Sequence, residues 1–245
     1  TVTRPVALIT GGSRGIGAAI ARLAATRGYD VVVNYRAAAD EAAQVVADCI
    51  AAGARATAVS GNMAAPDEVS ALFAAAAAFG PLHHVVNNAG VTGRSSRLAD
   101  ADPATIRDCI DINVTGAILV AREAARHLGA GGSIVNISSV AATLGSPGEY
   151  VWYAASKGAI DALTVGLAKE LAGSAIRVNA VSPGLIETEL HALSTGDAAR
   201  VERLLPMIPM GRVGQPNEIA EAVLFLMSDA ASYMTGANMT VSGGR

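Results

Sequence analysis

The chain has 245 residues, of which 51% are hydrophobic, 16% charged and 4% aromatic, with a net charge of -3 and a pI near 5.8. Without a basic excess there is nothing to neutralise a run of phosphates, so a nucleic-acid partner is not expected. Cys49 and Cys109 show neither CxxC nor Cys/His spacing, which sets aside a disulfide framework and a zinc site and makes a reducing cytoplasm the expected location.

In chain order, the N-terminal TVTRPVALIT lacks the sections of an export signal and passes into the first predicted strand, VALIT at 6–10. That strand leads straight into TGGSRGIG at 10–17. Glycine permits a tight turn and lets an anion approach backbone N–H groups where a helix begins. The spacing differs from the G-x-G-x-x-G dinucleotide fingerprint. Its place, after a strand and opening the amphipathic stretch GIGAAIARLAATRG, still points to a pyrophosphate site at Gly11, Ser13, Arg14, Gly15, Ile16 and Gly17. The second strand, VVVNY at 31–35, brings Asn34, Tyr35 and Arg36 to its end. Enzymes that bind the diol of adenosine ribose usually place Asp or Glu there. No carboxylate stands at that strand end, and Arg14 with Arg36 suits a 2′-phosphate, so NADP is the expected cofactor, with NAD the alternative.

ATAVS (56–60), HVVNN (84–88), SIVNIS (133–138), IRVNAVS (176–182) and NMTVS (238–242) complete a set of seven strands. Helical segments lie between them, with Pro103 and Pro216 where helices commonly begin. The uncharged stretch from Ala71 to Gly93 contains Gly80, Pro81, His83 and His84, and reads as a helix end, a turn holding the histidines and a strand, not as a membrane span. No histidine, including His127 and His191, is assigned to a metal. Alternating strand and helix means parallel strands with right-handed crossovers. The expected fold is a single α/β Rossmann-type doubly wound domain over 1–245, a seven-stranded parallel sheet with helices on both faces. Leu185 to Gln215 breaks the rhythm, long and irregular with Pro206 and Pro209, and is the expected substrate-binding loop.

The chemistry concentrates in EYVWYAASK at 149–157. Positions four apart share a helix face, so Tyr153, not Tyr150, partners Lys157. A phenol titrates near 10 and needs help to exchange protons at neutral pH. An ammonium about 4 Å away contributes roughly 4 kcal/mol at an effective dielectric near 20, about three pK units before desolvation subtracts its share. Beside a redox dinucleotide such a pair can act as acid toward a carbonyl and as base toward an alcohol. Ser139, after the fifth strand, stands where α/β sheets collect ligands and could donate to the same oxygen. Asn113, in DINVTG, competes for backbone hydrogen bonds inside a helix and is expected to hold water or open a carbonyl toward Lys157.

With TGGSRGIG, NNAG (87–90), Asn113, Ser139, YAASK (153–157) and SPG (182–184) in this order over essentially its whole length, the chain resembles the short-chain dehydrogenase/reductase family. The resemblance implies Tyr153 as proton donor and acceptor, and Lys157 as the residue that binds nicotinamide ribose and depresses the tyrosine pKa. It implies Ser139 as the substrate-orienting serine and Asn113 as support for a water chain to the lysine. It places Asn88, Ala89 and Gly90 at the central sheet and adenosine ribose, and Pro183, Gly184, Ile186 and Thr188 at the nicotinamide, Thr188 facing the carboxamide. A homotetramer through helices over 103–127 and 152–172 is also implied.

The chain departs from the family pattern at three places. Asn62, followed by Met63 in the expected cofactor site, replaces an acid that meets the adenine amino group; its amide oxygen can accept the same bond. The loop TLGSPGEYVW carries an extra residue between serine and tyrosine, which brings Ser138 into contention with Ser139. Ser242 replaces an acid in VSGG, where a tetramer contact would differ. The substrate is expected to be a small carbonyl or alcohol, since the resemblance extends to 3-oxoacyl-thioester reductases and to sugar or polyol dehydrogenases. Ser174 and Ala175 stand where carrier-protein reductases often carry an arginine, which weakens a carrier-protein substrate. The Leu, Ile and Met residues of the loop up to Met210, with Tyr150 and Trp152, suit a partly apolar pocket, or ordinary packing. A dinucleotide-binding sensor or scaffold without turnover is the reading of a different class, and the retained Asn113, Ser139, Tyr153 and Lys157 oppose it.

Overall fold

The computed structural model describes residues 4–188 and 200–245; positions 189–199 of the expected substrate loop, His191 among them, lie outside the described residues. The strands β1 (Val6–Ile9), β2 (Asp30–Tyr35), β3 (Ala56–Ser60), β4 (Leu82–Asn87), β5 (Ser133–Ile137), β6 (Arg177–Pro183) and β7 (Asn238–Val241) form one sheet in the order β3-β2-β1-β4-β5-β6-β7. Every neighbouring pair is parallel. Each crossover carries the chain back along the sheet, and helices do this: α1 (Gly15–Thr26), α2 (Ala39–Ala51), α3 (Pro66–Phe79), α4 (Pro103–Ile110), α5 (Ala117–His127), α6 (Ala141–Leu144), α7 (Val151–Leu171) and the helix Pro216–Met227. Pro66, Pro103 and Pro216 open their helices, where the missing N–H has no helical partner to lose. α4 and α5 are joined by a π-helical turn, Asp111–Gly116, so the predicted helix over 103–127 is interrupted at Asn113.

Side chains alternate across a strand, and here the alternation splits the core in two. Ala7, Ile9, Val31 and Val33 face one side and pack with α1, Val45 and Cys49 of α2, and Ile219 and Val223 of the helix Pro216–Met227. Val6, Leu8, Val32 and Ile134 face the other and pack with Leu72 and Phe73 of α3, Val120 of α5 and Ala168 of α7. Being covered on both faces makes the central strands continuous apolar runs, whereas the edge strands β3 and β7 are only partly buried. Both cysteines are buried and unpaired.

The expected turn at His83 and His84 is corrected: both lie within β4. Pro81 immediately precedes the strand, and pairing starts at Leu82 opposite Val6. His83 Nδ1 accepts from the Val6 N–H at 3.1 Å, and buried His84 places Nδ1 2.8 Å from Ser133 Oγ on β5.

Candidate active site

The strand order reverses direction between β1 and β4, and the crevice at such a switch point, beyond the carboxyl ends of the strands, is where open α/β sheets bind ligands. The glycine turn after β1 sits there. Gly11 and Gly15 have φ of +60° and +53°, the left-handed region that favours glycine. A Cβ at Gly17 would fall 2.4 Å from Gly11 O and 2.6 Å from Asn88 Nδ2, so the third glycine allows α1 to start against the turn. Two asparagines brace the turn from either side. Asn34 Oδ1 accepts the Gly11 N–H at 3.2 Å, and Asn88 Nδ2 donates to Thr10 O and Gly11 O at 2.9 and 3.0 Å. Both line the crevice, but these bonds hold the turn's shape. α1 has no side-chain cap and no acid in its first turn, which leaves its amino-terminal N–H groups and dipole directed at the crevice.

Farther along the strand ends, β5 delivers Ser138 and Ser139, and the geometry distinguishes them. Ser138 is buried and donates to Asp161 Oδ1 at 2.5 Å, with Lys157 O at 3.2 Å. Ser139 Oγ accepts from Ala141 N–H at 3.1 Å, lines the cleft with Tyr153 and acts to lower the Tyr153 pKa. α7 carries Tyr153 and Lys157 on one face, as their spacing requires. Lys157 Nζ donates to Ile137 O at 2.7 Å and lies 5.7 Å from the Tyr153 ring centroid.

The electrostatics differ from the expected phenol held low by an ammonium. Burial pushes the Tyr153 hydroxyl up to about 12, opposed by the Ser139 hydroxyl and by the charge of Arg200. Burial also pulls Lys157 down to about 8. Removing both groups from water disfavours both charged forms, and that outweighs their attraction in the protein alone.

Asn113 stands one layer behind. It is buried in the π-helical turn, its Oδ1 accepting from Val91 N–H and its Nδ2 donating to Val91 O, both at 2.8 Å, and to Ser156 Oγ at 3.0 Å. The amide thereby fixes the segment after β4 against α7. Asn113 Oδ1 would meet a Cβ at Gly90 at 3.2 Å, and Lys157 Nζ at 3.5 Å, so this glycine lets the chain pass close over both.

A cleft of about 720 Å³ runs along these strand ends. Gly11, Ser13, Arg14, Gly15, Ile16, Gly17, Asn34, Tyr35, Arg36, Asn62, Met63, Asn88, Ala89, Gly90, Ser139, Tyr153, Lys157, Pro183, Gly184, Ile186 and Thr188 all line it; Asn113 does not. Asn62 Oδ1 already accepts from Ala64 N–H at 3.1 Å, leaving one lone pair for a ligand. For Trp152 the structure shows ordinary packing, the second of the two expectations: it is buried in a cluster with Cys109 and Tyr150, its Nε1 donating to Thr92 O at 2.8 Å. Tyr150 does line the cleft, edge-on to Tyr153 at 5.5 Å. Glu149, Arg200 and Arg245 also line it and were missed from sequence, because nothing in their spacing links them. Arg200 is buried and grips Glu149 with Nε and a terminal nitrogen at 2.9 and 2.8 Å, the same nitrogen donating to Tyr150. Among the described residues no group of three or more His, Cys, Asp or Glu could hold a metal ion, and no helix is long and apolar enough to cross a membrane.

A doubly wound sheet with a glycine turn at its switch point, and a serine, a tyrosine and a lysine gathered at the neighbouring strand ends, defines a dinucleotide-dependent class of oxidoreductase. A family model described as Enoyl-(Acyl carrier protein) reductase matches residues 11–245. The chain is 46% identical to an uncharacterized oxidoreductase, YgfF, of Escherichia coli K12, covering 98% of this chain and 99% of that one. It is 40% identical to a 3-oxoacyl-[acyl-carrier-protein] reductase of Synechocystis, covering 99% and 97%. A short-chain dehydrogenase of Burkholderia cenocepacia, solved in complex with NADP, superposes with a TM-score of 0.92 at 37% identity, covering 99% and 97%. The chain belongs to the short-chain dehydrogenase/reductase family and is an oxidoreductase.

Proposed function

We propose that this protein reduces a ketone with NADPH, and oxidises the corresponding secondary alcohol with NADP, using Tyr153 as general acid and base. The observation that carries the reading is that Ser139, Tyr153 and Lys157 line the same cleft, with Lys157 Nζ 5.7 Å from the Tyr153 ring centroid and Ser139 acting on the Tyr153 hydroxyl. The residues present fit a dinucleotide: an uncapped helix start without acids, a glycine, Gly17, whose added Cβ would collide with the turn, and Arg14 and Arg36 on the wall beside β1 and β2. Gly11, Ser13, Gly15, Ile16 and Gly17 would hold the pyrophosphate, and Pro183, Gly184, Ile186 and Thr188 the nicotinamide end. When bound, NADPH supplies the hydride to the carbonyl carbon.

The chain's own part is to hold and protonate the oxygen. Ser139 donates a hydrogen bond to it, and Tyr153, kept protonated by burial, gives it the phenolic proton as the C–O bond becomes an alkoxide. Lys157, fixed by Ile137 O, sets a positive charge beside the phenolate so formed. Asn113 holds Val91 and Ser156 in place under this group. Ketones, 3-oxoacyl thioesters included, are the proposed substrates, with Ser174 and Ala175 counting against a carrier-protein form. One domain over 1–245 carries both cofactor and substrate, with 185–215 as the substrate loop. A cytoplasmic homotetramer is proposed, and Ile118 on α5 and Val165 on α7, both exposed, are suited to its helix contacts.

The cofactor choice is tested by kcat/KM for NADPH and NADH over a panel of ketones, oxoacyl thioesters, sugars and polyols. NADPH is expected to lead, and Arg36→Ala to reduce that lead by about tenfold or more, the scale of a charge-assisted hydrogen bond. A clear NADH preference in the unaltered enzyme would overturn the assignment.

A further inference from the structure

Positive charge lines both ends of the cleft. Arg14 and Arg36 stand beside β1 and β2, while Arg200 and Arg245 stand past β6, with Glu149 as the one carboxylate side chain among the described lining residues. Glu149 and Arg200 neutralise each other through their paired bonds. Arg245 is different. It makes no hydrogen bond or ion pair with any described residue, and its Nε is buried without an acceptor. An unmatched buried donor in a native fold calls for an explanation, and one that lines a ligand cleft points to a group the ligand brings.

The backbone keeps this arginine at the substrate end. Ser242 presses on Gly184, where an added Cβ would lie 2.7 Å from Ser242 Cα. The Met210 N–H donates to Gly243 O at 3.0 Å, and Gly244 lies against Pro209. Arg245 is thus fastened beside the end of β6, on the far side of Ser139 and Tyr153 from the glycine turn. Leu144, Leu204 and Met207 supply apolar wall in the same cleft.

We infer that Arg245 binds a carboxylate on the substrate, so that the ketones reduced are oxo acids and the alcohols oxidised are hydroxy acids, with an apolar body between the reacting oxygen and the acid. A guanidinium is a planar fork matched to a carboxylate. Among the described lining side chains Glu149 is already paired with Arg200, which leaves the Arg245 guanidinium to meet an anionic group on the ligand. The inference rests on the reductase reading and narrows its substrate class.

Binding to the full chain saturated with NADP is the test, because it does not depend on turnover. Affinities are measured by calorimetry for a series of short straight-chain carboxylates and their methyl esters. The acids are expected to bind at least about tenfold more tightly than the esters, as for a charge-assisted bond. In Arg245→Gln the acid-to-ester ratio falls toward one, and in Arg245→Lys it is partly kept. Parity of acid and ester in the unaltered protein, no measurable binding of either included, overturns the inference. So does an undiminished acid preference in Arg245→Gln. Either result with NADP still bound leaves the reductase reading in place, whereas failure to bind NADP or NADPH removes both.

Discussion

Lys157 sits at the edge of ionisation because burial draws it down from 10.5 to about 8. Between those two values the unfolded chain holds a proton that the folded chain has released, so this residue makes stability rise with pH across that window and contributes no slope below it. For catalysis the direction is opposite. Tyr153 stays protonated to about 12, so loss of the lysine charge, not of the phenolic proton, limits reduction at high pH. The kcat/KM for NADPH, which reports the free enzyme, is expected to be level below about pH 8 and to fall above it, with the break absent in Lys157→Met. A wild-type profile level to pH 10 would remove Lys157 from this role. The helix spacing of Tyr153 and Lys157 was legible from sequence because it needs only the helical period. Their electrostatic balance was not, since desolvation depends on what α7 is packed against.

At the scale of elements, the strands and their helix starts were written locally, as apolar runs and as prolines in first turns. The π-helical turn at Asn113 was not, because its cause is the Val91 backbone, distant in sequence, which engages both ends of the amide. The Glu149–Arg200 clasp was hidden for the same reason. β4 gave the other error, placing His83 and His84 in a turn, since two polar residues after Pro81 resemble a loop unless the partners Val6 and Ser133 are known. Burial of His84 in that strand, with the charges of His83 and Arg177 acting the same way, lowers its pKa from 6.5 to about 4. Over that interval the unfolded chain binds the proton first, so stability is lost as pH falls through it, by about 1.4 kcal/mol per pH unit at most. Urea unfolding of His84→Gln should show a shallower decline between pH 6.5 and about 4 than the unaltered protein. Equal slopes would show that His84 titrates normally.

For the whole molecule, the order of the strands follows from crossover rules, and it places the glycine turn, Ser139 and α7 along one edge of the sheet. The far end of the cleft was less legible, because it is assembled from Glu149, Arg200 and Arg245, which come together only when β6 and β7 are stacked in the sheet. The exposed Ile118 and Val165 lie on the helices proposed to join subunits, and light scattering is expected to return a tetramer mass; a monomer at all concentrations would refute that assembly. Everything proposed for the cleft converges on the Tyr153 hydroxyl. The most direct test is single-turnover oxidation of enzyme-bound NADPH by a ketone substrate in Tyr153→Phe, with NADPH fluorescence confirming that the cofactor is bound. The rate is expected to fall by at least about a hundredfold with cofactor affinity little changed, as for loss of a general acid; an unchanged rate would contradict the account.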